Sequence, residues 1–487
     1  MPLPNIGWNF DNTYTRLPTH LFTRILPTGV YKPQLLMFNH ALSQELGLKL
    51  SLLDNEQQAQ LFSGNILPQG AEPIAQAYAG HQFGHFTCLG DGRAHLLGEH
   101  KISDGRRVDI QLKGSGKTPY SRSGDGRAAL APMLREYLIS EAMHGLRIPT
   151  TRSLAVVTTG EQVYRETVLP GAILTRVAAS HLRIGTFEYA AAKNDTRTLK
   201  ALADYTIAKH FPALNASLQP YLQLLHTVIK KQVDLIVHWM RVGFIHGVMN
   251  TDNMALSGET IDYGPCAFMD VYYPATVFSS IDRLGRYAYA NQPLIAQWNL
   301  ARFAETLLPL LHSNQERAIA MAEEILNEFP ELYHNKWLTM MRTKLGLFGR
   351  QQEDEQLIID LLSLMQQHHA DYTNTFRDLS QAVKPGGKFY DDNHLFQTWY
   401  ERWQLRLKQN KQPLATSFRL MREMNPAVIP RNHQVEQSLQ AAMRGDMKPL
   451  QDFLIVLKEP YTERPELKPY QATPTASERV YQTFCGT

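Results

Sequence analysis

One short loop, together with a downstream aspartate motif, constrains this chain more than any other feature. His246-Gly247-Val248-Met249-Asn250-Thr251-Asp252-Asn253 precedes Asp262-Tyr263-Gly264, which begins nine residues after Asn253. A phosphotransfer loop of kinase type runs His-x-Asp, four residues, then Asn, with a metal-binding Asp-Phe-Gly shortly downstream. His246, Asn253 and Asp262 fall at those spacings, but Val248 stands where the base belongs. A hydrocarbon accepts no proton. The pattern therefore keeps oxygen ligands for a divalent ion on nucleotide phosphates and lacks the usual group for activating a hydroxyl. Asp252, beside Asn253, is the carboxylate placed to replace it. His246 reads as a residue bracing the loop.

The chain around this loop changes character once. From about residue 75 to 180, glycines cluster and short apolar runs alternate with turn signals. Residues 95–100 and 107–113 read as strands flanking the turn Ser103-Asp104-Gly105-Arg106. Residues 128–144 carry Leu130, Leu134, Tyr137 and Leu138 at helical spacing, closed by Gly145. Further strands are expected over 153–159, 162–166 and 172–177, and a long helix over 221–242 ending at Gly243. Helical patterns dominate from about residue 295 to about 457. The expected fold is α+β: a two-lobed, protein-kinase-like body with a mostly helical C-terminal extension. The expected divisions are an N-terminal extension (1–75), a nucleotide-binding lobe (76–180), a lobe with catalytic loop and metal motif (181–295), and a helical extension with C-terminal tail (296–487).

Phosphate chemistry has several candidates in the first half. Gly90-Asp91-Gly92-Arg93 and Gly124-Asp125-Gly126-Arg127 pair glycines, which let backbone N–H groups approach an anion, with an arginine fork. Gly-Asp-Gly is also a common turn, and His95 stands where the third glycine of a Gly-rich phosphate loop would be. Lys113 closes an alternating strand and would neutralise nucleotide phosphates, with Glu136 on the next helix as its partner and Glu141 in reserve. Gly116-Lys117-Thr118 resembles the end of a P-loop, but Gln111 stands where the first glycine is required and Pro119 comes where a helix should start. His81 and His85 have helical i to i+4 spacing without an evident third metal ligand.

Composition excludes little else. The net charge of +3 over 487 residues argues for neither nucleic acid nor an anionic membrane as partner. The chain has no apolar run long enough to span a bilayer and shows no secretory signal, so a cytoplasmic location is expected. Cys88, Cys266 and Cys485 cannot build a disulfide framework or a four-thiolate zinc site.

Taken together, these residues resemble the selenoprotein O family of pseudokinase-fold protein adenylyltransferases. The resemblance is carried by Ala77-Tyr78-Ala79-Gly80-His81-Gln82-Phe83-Gly84, by the run from Leu112 through Arg122, by Gly124-Asp125-Gly126-Arg127, by Asn250-Thr251-Asp252-Asn253 and by Asp262-Tyr263-Gly264-Pro265. It implies ATP bound in reverse, so that the α-phosphate faces an incoming hydroxyl. AMP would pass to Ser, Thr or Tyr side chains of protein substrates, this chain itself included, with pyrophosphate leaving. It also implies nucleotide contacts from Gly90, Gly92, Arg93, Lys113, Asp125, Gly126, Arg176, Arg183 and Asp262. Glu136 would hold Lys113, Asp252 would be the base, and Asn253 and Asp262 would ligate Mg²⁺ or Mn²⁺. UTP is an alternative donor, and a monomer is expected. Cys485 stands where some members carry selenocysteine, which makes Cys266 and Cys485 a candidate redox pair. Two other functions stay open: a kinase transferring the γ-phosphate to a small molecule or protein, against which Val248 argues, and a silent pseudokinase scaffold, against which the retained Lys113, Asn253 and Asp262 argue.

Overall fold

The computed structural model describes residues 4–384, 387 and 394–484. Its strands are β1 (Phe22–Arg24), β2 (Gln34–Phe38), β3 (Ile74–Gln76), β4 (Ala79–Gln82), β5 (His85–Cys88), β6 (Ala94–Lys101), β7 (Arg107–Lys113), β8 (Ala128–Ala129), β9 (Arg152–Tyr164), β10 (Val168–Ala178), β11 (Phe244–Ile245) and β12 (Ala267–Phe268). Eight of them form an antiparallel sheet in the order β1-β3-β6-β7-β10-β9-β2, with β8 pairing β10. The β4–β5 and β11–β12 pairs stand apart from it.

The expected hairpin forms as β6 and β7, with Gly105 in the left-handed region at its turn (φ 90°). Two expected strands, 153–159 and 162–166, fuse into the single strand β9. Residues 128–129, expected to open a helix, instead pair with Gly171 and Ala172 of β10 as β8.

Helices α1 (His40–Glu45) and α2 (Asn55–Phe62) precede α3 (Leu130–Gly145), α4 (Ile184–Ala192), α5 (Thr196–His210) and α6 (Pro220–Val242). Then come α7 (Gln292–Leu311), α8 (Gln315–Leu326), α9 (Phe329–Lys344), α10 (Asp354–Gln367), α11 (Tyr372–Ala382), α12 (His394–Lys408), α13 (Leu414–Met424), α14 (Asn432–Met443) and α15 (Lys448–Lys458). The C-terminal part is helical, as expected. Pro220 opens α6, where its missing N–H costs nothing, and Gly243 closes it in the left-handed conformation (φ 71°). That stop delivers the chain directly into the loop beginning at His246.

Period-two alternation sorts the sheet. Ile110 and Leu112 of β7, with Ile173 and Val177 of β10, join one core with Leu42, Leu46, Leu61 and Phe62 beneath α1 and α2. Val156, Ala172 and Leu174 face a second core with Leu134, Leu138 and the helical body. Gln111 and Lys113 alternate out of the first core, and Arg176 lies opposite Gln111 across the ladder. The charged residues of β7 and β10 are thereby brought side by side. Among the described residues, no helix is long and apolar enough to cross a membrane.

Candidate active site

Four elements bring charge to one point. Lys113 ends β7, Glu136 lies on α3, Arg176 on β10, and Arg183 sits just before α4. Lys113 Nζ lies 2.6 Å from Glu136 Oε2 and 2.8 Å from Asp262 Oδ1. Arg176 Nη2 lies 2.6 Å from Glu136 Oε1 and also donates to Asp262 Oδ1. Arg183 Nη1 reaches Asp262 Oδ2 at 3.1 Å and the Asp252 carbonyl at 3.0 Å, while its guanidinium lies 4.5 Å from the centre of the Tyr78 ring. Asp262 holds this place with φ 62°, a left-handed backbone that is strained for a residue with a Cβ. Burial alone would raise its carboxyl, but Arg176, Lys113 and Arg183 overcome that and hold it well below the usual range.

The expected pair of Lys113 and Glu136 thus forms, and it is part of a five-residue cluster. Glu141, the reserve, is instead bound to Arg152 and Asn39.

The segment 246–253 packs against the residues that lead into Asp262. His246 Nε2 lies 2.9 Å from the Ile261 carbonyl and braces the residue before Asp262. Residues Thr251–Asn253 make one tight helical turn, closed by Asn253 N donating to Asn250 O at 2.9 Å. Asp252 is 7% exposed and its Oδ1 is buried without a hydrogen-bond partner. Burial pushes this carboxyl up to about 6, against the pull of Arg183.

These groups open onto a cleft of about 700 Å³. Of the residues expected to bind nucleotide or metal, Gly92, Arg93, Lys113, Arg176, Arg183, Asn253 and Asp262 line it, as do Glu136, Val248 and Asp252. Gly90, Asp125, Gly126 and Cys266 do not line it. Gly90 and Gly92 lie against Tyr120: a Cβ on Gly90 would meet its ring at 2.4 Å, and one on Gly92 would meet its carbonyl at 2.9 Å. Asp125 forms a two-pronged pair with Arg165 at 2.8 and 3.0 Å. The segment between is no P-loop: Thr118 and Ser121 close a turn, and Thr118 Oγ1 donates to Asp91 O at 2.7 Å. Cys266 is buried, and burial pushes its thiol up to about 11. Cys485 lies outside the described residues. Thr483 Oγ1 donates to the Pro265 carbonyl at 2.5 Å, which brings the tail beside Cys266.

Asp91 lines the same cleft, and sequence reasoning missed it. Its Oδ2 accepts from Gln76 N at 3.1 Å and Gln111 Nε2 at 3.3 Å, and burial pushes the carboxyl up to about 6. Its only trace in the sequence is a Gly-Asp-Gly triplet, which ordinarily marks a turn. Arg176 had a usable signal: an arginine inside the apolar stretch Ile173–Val177 must find a partner when buried.

A divalent cation fits the donor set. Asn253 Nδ2 donates to Val248 O at 2.9 Å, leaving the amide oxygen as the donor available to an ion. With the Asp262 carboxylate, that makes a pair of hard-oxygen donors of the kind Mg²⁺ and Mn²⁺ prefer when phosphates and water complete the shell. His81 and His85 add no second site: among the described residues, no group of three or more His, Cys, Asp or Glu is arranged to hold a metal.

Cations converging on a cleft beside hard-oxygen donors suit a polyphosphate carried with a divalent ion, the equipment of a nucleotide-using transferase. Comparison with known proteins narrows that class. The family model for the protein adenylyltransferase SelO matches residues 4–458, and the chain belongs to this family. It is 62% identical over 484 residues to the protein nucleotidyltransferase YdiU of Nitrosococcus oceani, covering 99% of this chain and 98% of that protein. Identity is 60% over 482 residues to the YdiU protein of Syntrophotalea carbinolica (99% and 98% covered) and 59% over 482 residues to that of Geobacillus kaustophilus (99% of each covered).

Proposed function

We propose that this chain is a protein nucleotidyltransferase that moves AMP from ATP to Ser, Thr or Tyr hydroxyls of protein substrates, releasing pyrophosphate. The eight-stranded sheet with α3 would form one lobe of a kinase-like fold and the helical body the other, with the cleft between them. Lys113, Arg176, Arg183 and Arg93 would neutralise the triphosphate. Gly90, Gly92, Asp125 and Gly126 would shape the loops on its sheet side: Gly114 N donates to Arg93 O at 2.7 Å and Gly116 N to Gly126 O at 3.0 Å, so the residues just after β7 are tied to both loops. Asn253 and Asp262 would hold Mg²⁺ or Mn²⁺, which when bound supplies charge neutralisation at the phosphates.

The observation that carries this proposal is the placing of Val248 and Asp252 on one cleft with Lys113, Arg176 and Arg183. Asp252 takes the proton of the acceptor hydroxyl as its oxygen attacks the α-phosphorus. The bond from that phosphorus to the α,β-bridging oxygen breaks, and pyrophosphate carries away the electron pair. Charge that develops on the leaving group is met by fixed cations that need no reorganisation. The nucleotide therefore has to lie with its α-phosphate toward Asp252.

ATP labelled at the α- or the γ-phosphate tests this, given Mg²⁺ or Mn²⁺ and an acceptor protein. Label should enter protein from the α-position alone. Transfer from the γ-position would make the chain a kinase, and no transfer from either would make it a scaffold. Cys266 and Cys485 are proposed as a redox pair. Peptide mapping without reductant should recover the two cysteines crosslinked.

A further inference from the structure

The segment 78–83 contains β4 of the small β4–β5 hairpin and packs on the turn that carries Asp252. Gly80 lies directly against that carboxylate: a Cβ there would meet Asp252 Oδ1 at 2.2 Å. Gly185 of α4 closes the other side, since a Cβ on it would meet Ala79 O at 2.0 Å and Asp252 Cα at 3.3 Å. A Cβ at either place would collide, so the hairpin lies with its backbone against the Asp252 side chain on one side and against α4 on the other.

A closed ring of hydrogen bonds holds the three pieces together. Thr251 Oγ1 accepts from His81 N at 2.7 Å and donates to Glu188 Oε2 at 2.5 Å. Glu188 Oε1 lies 2.5 Å from His81 Nδ1, which completes the ring. Glu188, on α4, has a side chain only 3% exposed. One residue beyond the ring, Phe83 N donates to Asn250 Oδ1 at 3.1 Å, and Tyr287 donates its hydroxyl to the same oxygen at 2.6 Å. The turn 250–253 is thereby tied at Asn250 and Thr251, immediately before its two functional residues.

Resting on the adenylyltransfer proposal above, we propose that the His81–Glu188–Thr251 ring is the lock that positions Asp252 against the acceptor hydroxyl, with Glu188 and Thr251 as positioning residues that touch neither nucleotide nor acceptor. None of the three lines the cleft. A positional error of a fraction of an ångström at a proton acceptor lowers turnover without weakening ground-state nucleotide binding.

Thr251→Val removes the hydroxyl at nearly constant shape, and Thr251→Ser restores it. The Val variant should lose about ten- to a hundredfold in kcat, the range expected when hydrogen bonds to a charged group are lost. Its KM for ATP should stay within about twofold, and Glu188→Gln should shift the same way. The Ser variant should recover most of the turnover. Hydrogen exchange gives a second measurement independent of activity. In Thr251→Val, amides 80–83 and 250–253 should lose protection while the eight-stranded sheet keeps it. Unchanged kcat in both Val and Gln variants, equal losses in Val and Ser, or unchanged exchange at 80–83 would each overturn the lock. If the wild-type protein transfers no α-label while Thr251→Val still shows the exchange pattern, the adenylyltransfer proposal is refuted and the lock on the turn stands.

Discussion

Glu136→Gln is the perturbation whose consequences derive most directly from the buried cluster. Glu136 meets two cations, Lys113 Nζ and Arg176 Nη2, each at 2.6 Å, and its side chain is 3% exposed. At an effective dielectric constant of about 20, each contact amounts to roughly 6 kcal/mol of gross attraction. Most of that offsets the cost of taking the three charges out of water, which runs to several kcal/mol per ion. Removing the anion leaves Arg176, with a side chain 2% exposed, one carboxylate short, so the net loss falls at about 3–5 kcal/mol. Asp262 remains to take both cations, which places the expectation near the lower end. The same rearrangement makes Lys113 and Arg176 compete with a divalent ion for Asp262, so affinity for metal–ATP should fall about tenfold.

Urea unfolding followed by circular dichroism gives the stability term, and titration calorimetry with a non-hydrolysable ATP analogue gives the affinity. The double variant Glu136→Gln/Arg176→Gln should lose less than the sum of the single variants by about 1–3 kcal/mol, because the second change removes a charge already one carboxylate short. Stability within about 0.5 kcal/mol of wild type for Glu136→Gln, or strict additivity in the double variant, would refute the reasoning.

Asp252→Asn should lower kcat by about 10²–10⁴-fold with nucleotide affinity nearly unchanged, since the amide cannot take the acceptor proton; a loss confined to affinity in the calorimetric titration would deny it the role of base. Asp262→Asn should abolish metal-dependent nucleotide binding, and intact binding in the presence of Mg²⁺ would remove Asp262 from the metal site. Glu259 tests the linkage of burial to pH. Burial pushes its carboxyl from 4.5 to about 7, so the folded chain keeps a proton that the unfolded chain releases. Stability therefore falls as pH rises from about 4.5 to about 7, by about 3 kcal/mol in total, and stays lowered above that window. Glu259→Gln removes this slope, so its stability relative to wild type should be higher at pH 8 than at pH 4.5; the same offset at both pH values in chemical denaturation would count against the assignment.

The parts of the fold legible in the sequence are those whose signals are local. The β6–β7 hairpin announces itself through alternation around a Gly-containing turn, and α6 through a proline at one end and a glycine at the other. Lys113 and Glu136 could be paired because one closes a strand and the other lies on the next helix. The three short strands β1, β2 and β3 left no such mark: β1 and β3 have three residues each and find their place only by pairing across the sheet. Residues 128–129 adopt sheet pairing over helical propensity, a tertiary override that no window of sequence contains.

The candidate site divides the same way. Spacing alone exposed Val248, Asn253 and Asp262, and chemistry pointed to Asp252. Arg176 and Arg183 came through family resemblance, because their partners lie 40 or more residues away in the chain. The ring of His81, Glu188 and Thr251 joins residues 63 to 170 positions apart, a separation that leaves no local signal. Asp125 is bonded to Arg165, a pairing that gives its loop a structural tie beyond any contact with nucleotide.

The orientation of a bound nucleotide tests the central claim most directly. In a complex with a non-hydrolysable ATP analogue and Mg²⁺, the α-phosphorus should be the phosphorus nearest the Asp252 carboxylate, with the ion held by Asn253 and Asp262. A complex with the γ-phosphate nearest Asp252 would contradict nucleotidyl transfer and return the chain to ordinary phosphoryl transfer.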